Sequence, residues 1–208
     1  FLEPAEMRTL AKARSIVLEL WDAEWCERAR NLNISDYQRH MFRWQAWNCI
    51  GNYFGLEDPA LISLEGTEAR LEATISGVPV LGILDRWSLD DSGKAVISDY
   101  KTGKVSRKPW DAEKKTQLMV YADLHEAQYG TPVDAAELIY LKGKGTRVSY
   151  QFTDDEREAT RATLRQTWEE LQTACETGVF EARKTRLCDW CSFKGLCPAW
   201  RKKNANDE

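Results

Sequence analysis

Two aspartates and a lysine stand out by type and spacing: Asp85 in Gly82-Ile83-Leu84-Asp85-Arg86, and Asp99 and Lys101 in Ile97-Ser98-Asp99-Tyr100-Lys101-Thr102-Gly103-Lys104. Residues two apart on an extended strand point to the same side, so Asp99 and Lys101 share a face. A hairpin turn at Asp91 to Gly93 would bring Asp85 toward Asp99 at one end of a sheet. Hard oxygen ligands there suit Mg²⁺ or Mn²⁺, and a neighbouring ammonium can orient a water and offset charge developing on a phosphate. The same residues also fit a plainer arrangement, an ion pair of Asp99 with Lys101 at a strand end and a solvated acid at Asp85.

The elements that must position these residues are readable from periodicity. Leu10, Val17, Leu20 and Trp21 recur at helical spacing between Glu6 and about Ala29. A second helix is expected over Asp36 to Phe54, with Tyr37, Met41, Trp44 and Ile50 as its apolar stripe and Gly55 as its stop. Short extended runs come next at Leu61 to Leu64, Arg70 to Ile75, Val78 to Leu89 and Lys94 to Lys101, with turns at Ser76-Gly77 and Asp90-Asp91-Ser92-Gly93. A helix from Asp111 to Tyr129 precedes strands at Ala136 to Lys142 and Thr146 to Phe152. Thr153 and Glu156 form a capping box for a last long helix, with Leu164, Trp168, Leu171 and Cys175 as its buried stripe and Gly178 at its end. The order describes an α/β fold, a mixed central β-sheet flanked by helices, followed by a Cys-rich tail. The expected divisions of this one compact domain are a helical part at 1–60, a core at 61–180 and a tail at 181–208.

The 208 residues, 43% hydrophobic and 30% charged, exclude a disordered or fibrous chain, and no run approaches the roughly 20 apolar residues of a membrane helix. The net charge is -4, but it is unevenly spread. Lys101, Lys104, Arg107, Lys108, Lys114 and Lys115 face only Asp111 and Glu113 within fifteen residues, a local +4, and a second basic stretch runs from Arg183 to Lys203. Such stretches suit phosphate contacts as well as plain solvation. Three of the six cysteines fall within ten residues, Cys188-x-x-Cys191-x5-Cys197, which is ligand spacing rather than a dispersed disulfide framework. A reducing, cytoplasmic setting fits this usage. Zn²⁺ held by these three and one further ligand is one reading, and buried free thiols another. His40, His125, Cys26, Cys49 and Cys175 read first as structural residues on apolar helices, with Cys26 as a candidate further ligand.

Gly82-x-x-Asp85-Arg86, then Asp99-Tyr100-Lys101-Thr102-Gly103, then Gln117-x-x-x-Tyr121 resemble, in order and separation, the RecB-type exonucleases of the PD-(D/E)XK nuclease superfamily. The resemblance spans nearly the whole chain. It implies a restriction-endonuclease-like core and divalent-metal-dependent hydrolysis of DNA in repair or recombination. Asp85, Asp99 and the Tyr100 backbone carbonyl would bind Mg²⁺ or Mn²⁺, Lys101 would serve catalysis, and Gln117 and Tyr121, one helical turn apart, would approach the DNA or the site. Gln117 and Tyr121 also fit an ordinary helix stripe with Leu118 and Leu124. Lys104, Arg107 and Lys108 would contact DNA. A branch of the family closes three C-terminal cysteines and a distant N-terminal one around a 4Fe-4S cluster, which would assign Cys188, Cys191 and Cys197 to it, shielded by Trp190, Phe193 and Trp200. The family's upstream Cys-Pro segment and Gly-x-x-x-His-x-x-x-Glu helix do not occur here. The stretch from Phe1 resembles the segment immediately after that helix in actinobacterial members, so about fifty upstream residues, with the ligand His and fourth Cys, are expected to be missing. The implied partners are DNA and a helicase or other repair proteins. A noncatalytic DNA-end-binding module of a helicase-nuclease assembly is the alternative, and a zinc-stapled interaction domain a third.

Overall fold

A computed structural model describes residues 1–21, 27, 34–105 and 111–200. It falls into two compact units, Phe1–Thr163 and Leu164–Glu208. In the first unit, five strands form one sheet in sequence order: β1 (Ser63–Ile75), β2 (Val78–Leu89), β3 (Ala95–Lys101), β4 (Ala135–Tyr140) and β5 (Thr146–Gln151). Helices α1 (Leu10–Leu20) and α2 (Asp36–Leu56) precede the sheet, α3 (Asp111–Tyr129) connects β3 to β4, and α4 (Asp154–Thr177) comes after β5. All strand pairs are antiparallel except β3 with β4, which is parallel and therefore needs the long helical crossover. The expected mixed α/β sheet flanked by helices is the observed architecture.

Local chemistry explains the connections. Ser76 and Gly77, both at positive φ, make the tight β1–β2 turn whose twist matches that of paired strands. In the β2–β3 turn, Asp90 Oδ1 accepts from the Ser92 backbone and hydroxyl and from the Lys94 backbone, and these bonds hold its carboxyl below the usual range. The start of α2 is set by a capping box between Ser35 and Gln38.

Several expectations are corrected. Gly55 does not stop α2, which continues through it to Leu56. Tyr37 is 73% exposed and Trp44 55%, so neither belongs to a buried stripe. The runs at Leu61 to Leu64 and Arg70 to Ile75 belong to one strand, Ser63–Ile75, which keeps its pairing with β2 across a register shift between Leu64 and Gly66 and across Glu68 at φ 48°. The capping box of Thr153 with Glu156 is present, but Leu171 and Cys175 on α4 are exposed rather than buried. His40 is exposed, whereas His125 is fully buried. Cys26 lies outside the described residues.

The core lies between the sheet and α3, where Leu84, Ile97, Leu118, Leu124, Val133 and Leu138 are fully buried. The outer side of α3 is covered by the first turns of α4: Arg161 donates to both Asp123 oxygens at 2.8 Å, and Arg157 pairs with Glu126 at 2.9 Å. On the other face of the sheet, Asn52 of α2 donates to the carbonyls of Leu141 and Gly143, and Tyr53 meets Tyr100 edge-on. Among the described residues no helix is long and apolar enough to cross a membrane.

Candidate active site

The antiparallel register of β2 with β3 pairs Arg86 with Ser98 and Trp87 with Ile97. Extending it by one step sets Asp85 opposite Asp99, past the last paired residues. There Asp85 Oδ2 accepts a hydrogen bond from the Tyr100 backbone N–H at 2.7 Å, which fixes that carboxylate against β3. Asp99 is buried, and the Lys101 ammonium lies 2.5 Å from its Oδ2, an oxygen that otherwise has no hydrogen-bond partner. Burial pushes the Asp99 carboxyl above the usual range, Lys101 opposes that shift, Asp85 adds repulsion and Lys114 opposes again. Two carboxylates thus share one end of the sheet with one close ammonium. That excess of negative charge is what a divalent cation would relieve, so the residues fit Mg²⁺ or Mn²⁺. No group of three His, Cys, Asp or Glu able to hold a metal occurs among the described residues, and Mg²⁺ is commonly held by one or two carboxylates with water completing its shell.

Helix α3 brings further polar groups. Gln117 Nε2 donates to the Tyr121 hydroxyl at 2.8 Å, as their one-turn separation allows. Among the described residues neither hydrogen-bonds to Asp85, Asp99 or Lys101. Tyr121 instead lies against Gly82, where a Cβ would come within 3.1 Å of its ring and 2.7 Å of Leu124 Cδ1. The glycine of the Gly82-x-x-Asp85 segment therefore lets α3 approach β2. Trp87, five positions on, also packs against α3, 4.6 Å from the His125 ring. An odd spacing should place these two residues on opposite faces; the register sets Asp85 opposite Glu68, whose positive φ marks where the hairpin twists between them.

Sequence reasoning named Lys114 only as part of a basic stretch and overlooked Tyr140. Lys114 donates to the Tyr140 hydroxyl at 2.7 Å and acts electrostatically on Asp99. Its position three residues before Gln117 and seven before Tyr121 puts it on the same helix face, a signal that was legible. Lys104 is exposed just beyond β3, and Arg107 and Lys108 lie outside the described residues.

Within the second unit, Cys188 is the third residue of a short helical turn, Arg186–Trp190, that follows Thr185, whose backbone N–H donates to Cys188 Sγ at 3.2 Å and pulls that thiol below its ordinary value. Trp190 and Phe193 are exposed and form no shield, while Trp200 stacks under the ammonium groups of Lys184 and Lys194. The three cysteines do not surround a common point for a metal among the described residues.

A family model described as the PD-(D/E)XK nuclease superfamily matches residues 3–198, almost the full chain. The chain belongs to the PD-(D/E)XK nuclease superfamily. Proteins of the superfamily are nucleases that generally use Mg²⁺ or Mn²⁺, in keeping with the paired carboxylates at the end of β2 and β3. Two solved structures are similar. One, named SSO0001, shares 19% identity at a TM-score of 0.47, over 95% of this chain and 85% of its own. The other, from Eubacterium rectale and named "Putative exonuclease", shares 10% identity at a TM-score of 0.48, over 88% of this chain and 77% of its own. No curated protein matches the chain.

Proposed function

We propose that this PD-(D/E)XK nuclease is a divalent-metal-dependent deoxyribonuclease of the RecB type, cutting DNA from an end in repair or recombination. The observation that carries the reading is the cluster of Asp85, Asp99 and Lys101 at one strand end, two acids against one contacting ammonium, with Asp99 buried and the other two half-buried. Asp85 and Asp99, with the Tyr100 carbonyl, would hold Mg²⁺ or Mn²⁺, which supplies a more acidic bound water and neutralises phosphate charge. Lys101 orients the attacking water and offsets charge on the phosphate as the P–O bond breaks. Lys114, held by the Tyr140 hydroxyl, contacts neither acid in an ion pair and adds only a longer-range positive field at Asp99. Gln117 and Tyr121 hold α3 against β2 and face the strand being cut. Lys104, Arg107 and Lys108 bind backbone phosphates, and their joint neutralisation should lower the log–log salt slope by about 0.9 per contact for duplex DNA or about 0.7 for single strands. A cytoplasmic helicase partner accords with action at DNA ends.

A separate part of the reading makes Cys188, Cys191 and Cys197 ligands of a stabilising 4Fe-4S cluster, with Zn²⁺ as the rival. Its support is the Cys-x2-Cys-x5-Cys spacing and the N–H aimed at Cys188, which favours a thiolate. No catalytic step runs through that centre. Iron and sulfide content of the purified protein decides between the two metals.

The test of hydrolysis is end-labelled DNA incubated with the protein and Mg²⁺ or Mn²⁺. Mononucleotides released progressively from an end support the reading; discrete internal cuts indicate an endonuclease; DNA binding without cleavage under either metal leaves a noncatalytic end-binding module.

A further inference from the structure

A groove of about 710 Å³ lies between α2 and the carboxyl ends of β3 and β4. Its α2 wall carries Gln45, Asn48 and Asn52, spaced as one helix face, with Phe42 and Trp44 at its outer end. The opposite wall is Thr102 and Lys104 after β3, with Lys142 after β4. Asn52 ties the two walls together through its bonds to the Leu141 and Gly143 carbonyls at 2.7 and 2.9 Å. The lining contains two lysines and no carboxylate, on a chain whose net charge is -4. Trp44 is 55% exposed, an indole left largely in water on a helix that packs its other side inward. Thr102 directly succeeds Lys101, so the groove, on the α2 face, adjoins the same strand end at which Asp99 and Lys101 occupy the opposite face.

We propose that this groove is a track for an unpaired nucleic-acid strand, with Trp44 as a base-stacking platform and Lys104 and Lys142 against its phosphates. The inference rests on the nuclease reading of Asp85, Asp99 and Lys101 and adds to it the form of the substrate. An exposed indole can stack only on a base whose face is free, and inside a duplex both faces of every pair are taken by its neighbours, leaving only the terminal pair; lysines spaced along the wall match a phosphate chain rather than one anion. Asn48, Asn52 and Thr102 supply groups that can bond to bases or sugars without fixing a sequence.

The test is fluorescence anisotropy of labelled oligothymidine and of a blunt duplex in EDTA, which stops cleavage, beside a separate cleavage assay with Mn²⁺. Trp44→Ala should weaken single-strand binding by about 5- to 150-fold, the range of one lost base–aromatic stack, with Trp44→Phe restoring most of it and the duplex little affected. Lys142→Gln, on a turn where folding is not at stake, should flatten the single-strand salt slope by about 0.7. Tyr37→Ala, an exposed aromatic on the same helix outside the groove, should change nothing. Unchanged single-strand affinity in both Trp44→Ala and Lys142→Gln overturns the track, as does an equal loss with Tyr37→Ala or an equal loss for duplex. If the groove variants behave as expected but wild-type protein cleaves nothing with either metal, the track stands and the hydrolytic reading fails. If cleavage is present and lost with Asp99→Ala while the groove variants bind normally, the reverse holds.

Discussion

Two clusters of buried charge sit one residue apart on the same strands, and they differ in balance. Arg86, next to Asp85, is buried and reaches Glu57, Glu137 at 3.1 Å and Ser98 at 2.7 Å; Arg147 pairs with the same two glutamates. Two cations meet two anions there, and the guanidinium of Arg86 also lies 5.5 Å from the Tyr100 ring. The Asp85, Asp99 and Lys101 cluster on the other side of the sheet sets two carboxylates against a single contacting ammonium, with Lys114 acting on Asp99 only from farther away. A buried group is compensated when its task is to hold the fold, since leaving it unpaired costs stability. Under-compensation at the neighbouring position is tolerable where a ligand supplies the missing charge.

The contrast breaks most sharply under substitution. Asp99→Ala or Lys101→Ala should lower the cleavage rate by about a thousandfold or more, about 4 kcal/mol of transition-state stabilisation, with a thermal midpoint close to wild type; a rate near wild type in both would remove the catalytic assignment. Arg86→Met should do the opposite. It leaves two buried glutamates sharing Arg147 alone, and urea unfolding should register a loss of about 3 kcal/mol. Gly82→Ala alters no charge but drives a methyl into Leu124 and Tyr121, and the same unfolding measurement should show about 2 kcal/mol of destabilisation from overpacking.

The smallest effect separates burial from charge. His125 is enclosed by Trp87 and Tyr129, with Nδ1 3.2 Å from the Thr131 carbonyl, and burial lowers its pKa, against the pull of that carbonyl and of Glu126. Below about pH 6.5 the unfolded chain takes up a proton that the folded chain resists. Stability should therefore fall as pH drops from the ordinary histidine range toward the lowered folded value, by at most about 1.4 kcal/mol per pH unit. Unfolding of His125→Phe across the same range should lack that slope.

Much of this was legible in the sequence where local rules suffice. Val78 to Leu89 and Asp111 to Tyr129 have the observed bounds because turn residues and helical periodicity mark them. The family was readable from the three spaced segments because their residues lie on consecutive elements. The compensated cluster was not, since its members are 29, 51 and 90 positions apart and nothing local links them. Gly55 misled because a glycine inside a helix reads like a stop when only its type is considered. Leu171 and Cys175 keep helical spacing, yet spacing states which side of α4 is apolar and not whether anything covers it.

The central claim is that the under-compensated carboxylates form a metal site that hydrolyses DNA. Mn²⁺ titration followed by electron paramagnetic resonance, on wild type and on Asp85→Asn and Asp99→Asn, with cleavage recorded on the same samples, tests it most directly. The account predicts Mn²⁺ binding in the wild type that is lost together with cleavage in both variants while their thermal midpoints hold. Undiminished Mn²⁺ binding and cleavage in the two variants would contradict it.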